Sequence, residues 1–474
     1  MLTLADALEA ITTFRPQAAS VITEAVIDSR QTIPGSLFVA IPGEKADGHN
    51  YIGEAFKRGA SFALTQRDVD ASFRTFDLRT VSSTDFYTGI DFSIPLCLRV
   101  DNTVAALQQI ARFWRRKLDL RVIGITGSVG KSTTKEMVAE VLSTRYRTLK
   151  SPGNLNNEIG LPLTMTRLGD GHQHAVMEMG FYVPGEIAFL CDIAQPQVGV
   201  VTNVGTVHAE RAGSQEAIAR GKAELVQALP PAPEGVAILN FDDPWVRKME
   251  EKAKARVFFY GLSPEAHLWA DRVEGLGLEG IRFRMHYQGE TLHVKIPLIG
   301  RHSVHTALRA AAVGLVEGMN WQEIIEGLSQ GHTQLRLAAV RSETGALLLD
   351  DTYNASPESM LAALNLLDEL DGRKVAVLGD MLELGPYERG GHEMVGLRAG
   401  QIVDVLLTLG ERAHIIADAA RRGNGKKKTI LEFKEFEPLV EWLKNNLTSK
   451  DVVLIKGSHG LRMDRITSLL EVRS

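Results

Sequence analysis

The eleven residues Gly124–Thr134, GITGSVGKSTT, join an apolar strand to a helix through a glycine-rich turn, and few arrangements of backbone satisfy that pattern. Val122, Ile123 and Ile125 supply a buried strand, and Met137, Val138, Val141 and Leu142 recur at helical spacing beyond the turn. Gly127 and Gly130 allow the backbone to aim its N–H groups inward, toward an anion resting on the helix N-terminus. Ser128 and Thr133 complete the cradle, Lys131 is placed to reach nucleotide β/γ-phosphates, and the Ser132 hydroxyl to reach Mg²⁺. The residue five before Gly130 is Ile125, so the loop is a shortened G-x-x-G-K-S variant of the usual phosphate loop.

A chain of 474 residues accommodates about three domains of ordinary size. Residues 1–99 mix short strand-like runs with Gly/Pro turns and read as a small α/β module. From residue 100 an amphipathic segment, VAALQQIARFWRRKL, leads into the phosphate loop. The runs HAVMEMG, VGVVTNVG and GVAILN follow, each trailed by a helical or loop segment. Apolar strands alternating with helices predict a parallel sheet covered on both faces. Ligands of such sheets gather beyond the carboxyl ends of the strands. Residues 268–299 alternate more strictly and predict an antiparallel extension. ALLLDD, KVAVLGD, DVLLTLG and DVVLIKGS then mark a second nucleotide-fold-like series. The predicted architecture is α/β in three domains: a small α/β domain (1–99), a central parallel-sheet ATPase-like domain (100–332) and a C-terminal Rossmann-like domain (333–474).

The formal charge of −5 reflects 58 acidic against 53 basic side chains, too even a balance to imply a nucleic-acid or anionic-membrane partner. Cys97 and Cys191 have no metal-type spacing, and no apolar run reaches the length of a membrane span, so a reduced, cytoplasmic protein without membrane insertion is expected. The basic cluster Arg421, Arg422, Lys426, Lys427 and Lys428 reads as a solvated loop. His172 and His174 read as surface residues.

Phosphate-loop enzymes need metal ligands on neighbouring strand ends, and two residues are suitably placed. Glu178 ends the apolar run AVME, and His208 follows VGVVTNVG. A carboxylate beside the loop would hold the metal that neutralises a transferring phosphoryl group. Asp350 and Asp351 end ALLLDD and lead into TYNASPES, which brings Tyr353 and Asn354 to the edge of the second sheet, with Ser356 or Asn354 capping the helix after Pro357.

With these segments in hand the chain resembles the Mur ligases, in particular the branch that adds D-alanyl-D-alanine. DSRQTIPGSLFVAIPGEKADGHNYI is similar to that family's uridine-nucleotide-binding domain. The segments GNLNNEIGLP, MEMGFYVPGEI, TNVGTVHAE, LDDTYNASPESM, GDMLELG and KGSHGLRM follow in the family's order. The resemblance implies ATP- and Mg²⁺-dependent joining of D-alanyl-D-alanine to a UDP-muramoyl tripeptide through an acyl phosphate, by a monomer. It implies that Ser29, Arg30, Asp47 and His49 bind the uridine-linked substrate. Lys131, Glu178, His208 and Lys222 form the catalytic set, with Ser132, Glu178, His208 and Lys222 around the metal and Lys222 carbamylated. Asn156, Asn157, Arg336, Asp351 and Asn354 join the ATP site, and Lys456, Ser458 and Arg462 hold the incoming dipeptide. Val129 stands where the family commonly has asparagine, and Ser303 and Thr306 replace the two asparagines of an N-x-x-N segment that approaches adenine. Two further readings stand beside this one: a sister ligase adding an amino acid, or a relative acting on another polymer, and a nucleotide-binding scaffold without activity.

Overall fold

The strand that feeds the phosphate loop, Arg121–Thr126, lies inside a nine-stranded sheet. The computed structural model describes residues 1–474 except 44–45, 84–86, 88–91, 93, 331–337, 353, 423–427 and 472–474. Arg336, Tyr353 and most of the basic loop (423–427) therefore lie outside the described residues. In the central sheet, Arg121–Thr126 pairs in parallel with His174–Glu178 on one side and Val198–Val201 on the other. The parallel run continues through Val236–Asn240 and Arg256–Gly261 to the start of Leu268–Gly275. Ile281–Tyr287 and Glu290–Ile296 then add an antiparallel edge, as the stricter alternation predicted.

Both faces of this sheet are covered, which explains why its strands read as continuous apolar runs. Val122 points into a core that extends through Leu107, Ile110 and Trp114 of the helix Thr103–Lys117. Ile123 and Ile125 point the other way, onto Met137 and Val141 of Lys131–Ser143 and onto Leu308 and Ala311 of Val304–Val316. The first of these cores continues into the N-terminal sheet through Leu8, Leu37 and Leu64. That sheet is five-stranded and parallel, running from Ala25–Val26 at one edge to Thr75–Asp77 at the other, with Leu96–Arg99 next to the latter.

The third sheet has six strands and contains all four of the predicted C-terminal ones: Leu347–Asp350, Arg373–Gly379, Val405–Leu409 and Asp451–Lys456. Along it, Leu349, Ala376 and Leu406 face one core while Leu348, Val375 and Leu407 face another. Two edge strands, Ala338–Arg341 and Thr429–Phe433, were not predicted. The first is the sheet's antiparallel member, and the second is only partly buried, so neither carries a strong apolar period.

His174 departs from the surface position expected of it. It opens the strand His174–Glu178, where alternation turns it inward with Val176 and Glu178. It is 4% exposed, packs against the Tyr146 ring and holds Glu317 Oε2 at 2.8 Å from its Nε2. Cys97 and Cys191 are separate buried residues, the Cys97 thiol pushed up to about 12 by burial. Among the described residues no helix is long and apolar enough to cross a membrane.

Candidate active site

Glycine is required at the start of the phosphate loop for steric reasons. Gly127 has φ +147, and a Cβ there would lie 1.8 Å from Thr202 Oγ1. Gly130, at φ +83, is the N-cap of Lys131–Ser143 and directs the chain into the helix. The loop is clamped by the end of the neighbouring strand. Asn203 accepts from Val129 N at 2.9 Å and donates its Nδ2 to Val129 O, while Thr202 Oγ1 donates to the same carbonyl at 2.7 Å. Ser128 N donates to Asn203 O, and Ser128 Oγ accepts from Gly205 N. Val129 is thus held by its backbone, so the loop keeps its shape without an amide side chain there. The Lys131 ammonium folds over the loop, donating to Gly127 O at 2.8 Å.

Next to the loop, Glu178 is 1% exposed at the end of its strand. One carboxylate oxygen accepts from Ser132 Oγ at 2.7 Å and the other from Asn156 Nδ2 at 2.9 Å. The buried Lys135, which sequence reasoning missed, comes within 3.8 Å of the carboxylate and donates to Gly153 O. A hydroxyl and a carboxylate side by side at a helix N-terminus suit a hard cation with oxygen ligands. Among the described residues no three His, Cys, Asp or Glu side chains form a metal cage. That donor set fits Mg²⁺, which keeps several waters and phosphate oxygens as ligands, better than a metal enclosed by protein.

His208 and Lys222 lie near but make other contacts. His208 occupies a left-handed conformation, φ 66, before the short helix Ala209–Ala212. Its Nδ1 meets Glu383 Oε2 at 2.7 Å, across the boundary between the central and C-terminal sheets. With Nδ1 carrying the proton toward Glu383, Nε2 keeps a lone pair. Burial lowers the pKa of the ring, against the raising effect of Glu383 and with further lowering from Lys131 and Lys222. Lys222 is 1% exposed, its ammonium 4.9 Å from the centroid of the Phe181 ring. Burial, with repulsion from Lys131, holds that amine well below the usual lysine range.

A cavity of about 530 Å³ unites the phosphate loop, Glu178 and His208 with Asp351, Asn354 and Lys456 of the C-terminal sheet. Lys456, 2% exposed, ends its strand and donates to Asp351 Oδ2 at 2.7 Å and Asn354 O at 2.9 Å. Glu358, on the helix Pro357–Glu369, crosses the cleft to receive Thr206 N. His302, Ser303, Thr306 and Arg309 line the cavity from the helix Val304–Val316 and the turn before it, on the side next to the phosphate loop. His302 is exposed at the start of this side, whose buried cation is Arg309.

Not every predicted residue reaches the cavity, and neither Lys222 nor Gly127 is among the residues that line it. Asn157 turns its Oδ1 onto the N–H groups of Ile159 and Gly160, at the start of the helix Gly160–Thr166. Ser458 Oγ accepts from Leu382 N, and Arg462 is exposed and paired with Asp464. In the N-terminal domain Arg30 pairs with Asp28 beside the buried Ser29, and Asp47 holds both the N–H and Nδ1 of His49. Glu383, Glu358, Asn203 and Arg309 escaped sequence reasoning. Glu383 had a signal, since it lies within GDMLELG, as did Glu358 within LDDTYNASPESM and Asn203 within TNVGTVHAE, whereas Arg309 sits in no motif that was read.

Family profiles match along most of the chain. A profile described as Mur ligase family, catalytic domain, covers residues 21–115; the Mur ligase middle domain covers 125–314; and the Mur ligase glutamate ligase domain covers 335–459. The UDP-N-acetylmuramoyl-tripeptide–D-alanyl-D-alanine ligase of Bacillus subtilis is 34% identical, over 94% of this chain and 93% of that protein. The corresponding ligase of Escherichia coli is 32% identical over 96% and 95%. Among solved structures, MurF from Acinetobacter baumannii superposes with a TM-score of 0.82 at 30% identity, covering 98% of this chain and 97% of that one. MurF from Thermotoga maritima in complex with ADP superposes at 0.77, with 28% identity and 97% of each chain covered. The chain belongs to the Mur ligase family.

Proposed function

We propose that this chain joins D-alanyl-D-alanine to UDP-N-acetylmuramoyl tripeptide at the expense of ATP, giving the UDP-muramoyl pentapeptide, ADP and phosphate. The observation that carries the reading is the shared cavity. It joins a phosphate loop whose Ser132 touches Glu178 to the Asp351–Lys456 pair of a second sheet, so a nucleotide and two further reactants can meet there. Relatives bearing this activity in their names match 94% of the chain and more. Division into domains 1–99, 100–332 and 333–474 assigns the uridine-linked substrate to the first, through Ser29, Arg30, Asp47 and His49. ATP falls to the second; from the third, Arg336 is assigned a phosphate contact and Lys456 a dipeptide contact, whereas Ser458 and Arg462, outside the cavity, are not.

The chemistry follows from the weakness of a carboxylate as an electrophile. An oxygen of the tripeptide's terminal carboxylate forms a bond to the γ-phosphorus of ATP as the bond to ADP breaks. The dipeptide amine then attacks the acyl carbon, and phosphate leaves with the bonding pair while the nitrogen loses a proton. Lys131 is placed to offset charge on the phosphoryl oxygens, and such fixed positive groups supply much of the rate in transfers of this kind. Ser132 and Glu178 would hold Mg²⁺, with His208 Nε2 and a carbamate on Lys222 facing the same region. Bound there, the ion would neutralise phosphate charge. Lys222 suits carbamylation because burial and Lys131 disfavour its ammonium, and the unprotonated amine is the form that attacks the carbon of CO₂, releasing one proton. Soluble, cytoplasmic action as a monomer completes the reading.

The test is direct. Purified protein is supplied with ATP, Mg²⁺, UDP-muramoyl tripeptide and either D-alanyl-D-alanine or single amino acids, with phosphate release and product mass as readouts. Turnover with the dipeptide alone is expected. Turnover with an amino acid alone would make the chain a sister ligase, and none with any acceptor would leave a nucleotide-binding scaffold.

A further inference from the structure

Arg309 is 4% exposed, and among the described residues its guanidinium has no carboxylate within ion-pair distance. Its Nη2 donates to Thr306 Oγ1 at 2.9 Å and its Nη1 to the Tyr260 hydroxyl at 3.4 Å, with the guanidinium 5.8 Å from the Tyr260 ring centroid. Its Nε is buried with no hydrogen-bond partner. A permanent cation withdrawn from water and left without a counter-charge is strongly disfavoured unless an anion arrives to meet it.

The guanidinium's position says which anion. Arg309 lines the same cavity as Lys131 and Ser132. A Cβ built on Gly130 would lie 3.2 Å from Nη2, so the guanidinium borders the phosphate loop itself. The neighbouring hydroxyls are already engaged: Ser303 Oγ donates to Ile299 O at 2.8 Å, and Thr306 Oγ1 accepts from Arg309. A guanidinium offers donors only and cannot accept from an exocyclic amine, whereas its fork matches phosphate oxygens. We propose that Arg309 is a phosphate ligand of the bound nucleotide, anchoring it in a chain whose Ser303 and Thr306 cannot read the base as paired amides would. This rests on the nucleotide-binding reading given above.

Binding of ADP with Mg²⁺, of inorganic tripolyphosphate and of adenosine is measured by calorimetry on the full chain and on its Arg309→Met and Arg309→Lys variants, alongside thermal melting. Arg309→Met should weaken ADP and tripolyphosphate by about tenfold or more while leaving adenosine unchanged, since a charge-assisted bond is lost. Arg309→Lys should recover part of the loss. The ligand-free Arg309→Met variant should melt no lower than the parent, and ADP should raise its melting temperature less. Equal ADP affinity in parent and Arg309→Met overturns the proposal. An equal loss of adenosine binding overturns it in favour of a base contact, and a lowered ligand-free melting temperature with no rescue by lysine overturns it in favour of a packing role. If the parent chain itself binds no ADP, the nucleotide-binding reading falls and this inference falls with it.

Discussion

Lys222 is the residue whose surroundings are hardest to reconcile with an ordinary side chain. A lysine that is 1% exposed and rests on an aromatic ring has surrendered hydration for a contact that stabilises ammonium only modestly. The proposed carbamylation would replace an ammonium disfavoured by burial and by Lys131 with an anion bearing two oxygens. Lys222→Ala should therefore be nearly inactive in the phosphate-release assay, and the unaltered chain should lose activity when bicarbonate and dissolved CO₂ are removed. Wild-type-like turnover in Lys222→Ala would remove the residue from the mechanism. Gly127 presents a simpler steric case. Gly127→Ala places a methyl group on Thr202 Oγ1 in a backbone conformation unfavourable to side chains. Overpacking of this kind costs about 1–3 kcal/mol, and the positive φ adds to it. Urea denaturation should show that loss, and Thr202→Ala in the same chain should recover part of it by removing the nearer atom.

At the scale of elements, the helix Pro357–Glu369 shows how a motif can be both structural and functional. Ser356 caps it by accepting from Ser359 N at 3.2 Å, Ser359 Oγ accepts from Ser356 N, and Pro357 occupies the first turn. Ser356→Ala should cost about 1 kcal/mol, measured as a lowered midpoint in denaturant. It should also reduce activity, because the same cap positions Asn354 and Glu358 at the cleft. This cap was legible beforehand, since serine before proline and a helical run is a local signal. So was the strand–loop–helix of the phosphate loop, where a continuous apolar run gives way to a 3.6-residue period across a glycine-rich turn. The strand Thr429–Phe433 was not, because an edge strand buries too little to need an apolar face. His174 was misread because its sequence neighbours are turn residues, whereas its partners Tyr146 and Glu317 arrive from distant segments. The pairing of His208 with Glu383, 175 residues away, was invisible for the same reason. Local order is written in the sequence as periodicity, but contacts across a cleft depend on how whole sheets are packed.

At the scale of the molecule, the N-terminal domain is joined to the central one by an apolar core and by charged contacts, among them Glu24 with Arg167 and a cluster around Asp6. Asp6, on the helix Leu4–Thr12, accepts from Lys117 Nζ at 2.8 Å and from Arg15 Nη1 at 2.8 Å, and Thr3 N donates to the same carboxylate. Lys117 ends the helix Thr103–Lys117, which also packs on the central sheet, so this carboxylate ties the first helix to the second domain. Burial alone would raise the Asp6 pKa, but the hydrogen bonds from Lys117, Thr3 and Arg15 outweigh it and leave the group well below the usual carboxylate range. A carboxylate depressed in the folded state binds fewer protons there than in the unfolded chain, so stability rises with pH between the two pKa values. The contribution is complete above the unfolded value, about 4, and is lost as pH falls from there through the folded one. Asp6→Asn should thus lower stability at neutral pH, where the cluster is charged, and flatten the decline below about pH 4. Denaturation midpoints for both chains, measured from pH 7 down to about pH 3, should converge as the medium becomes acidic. Parallel curves would mean that the cluster contributes through shape alone, and that the apolar core and the other charged contacts couple the two domains.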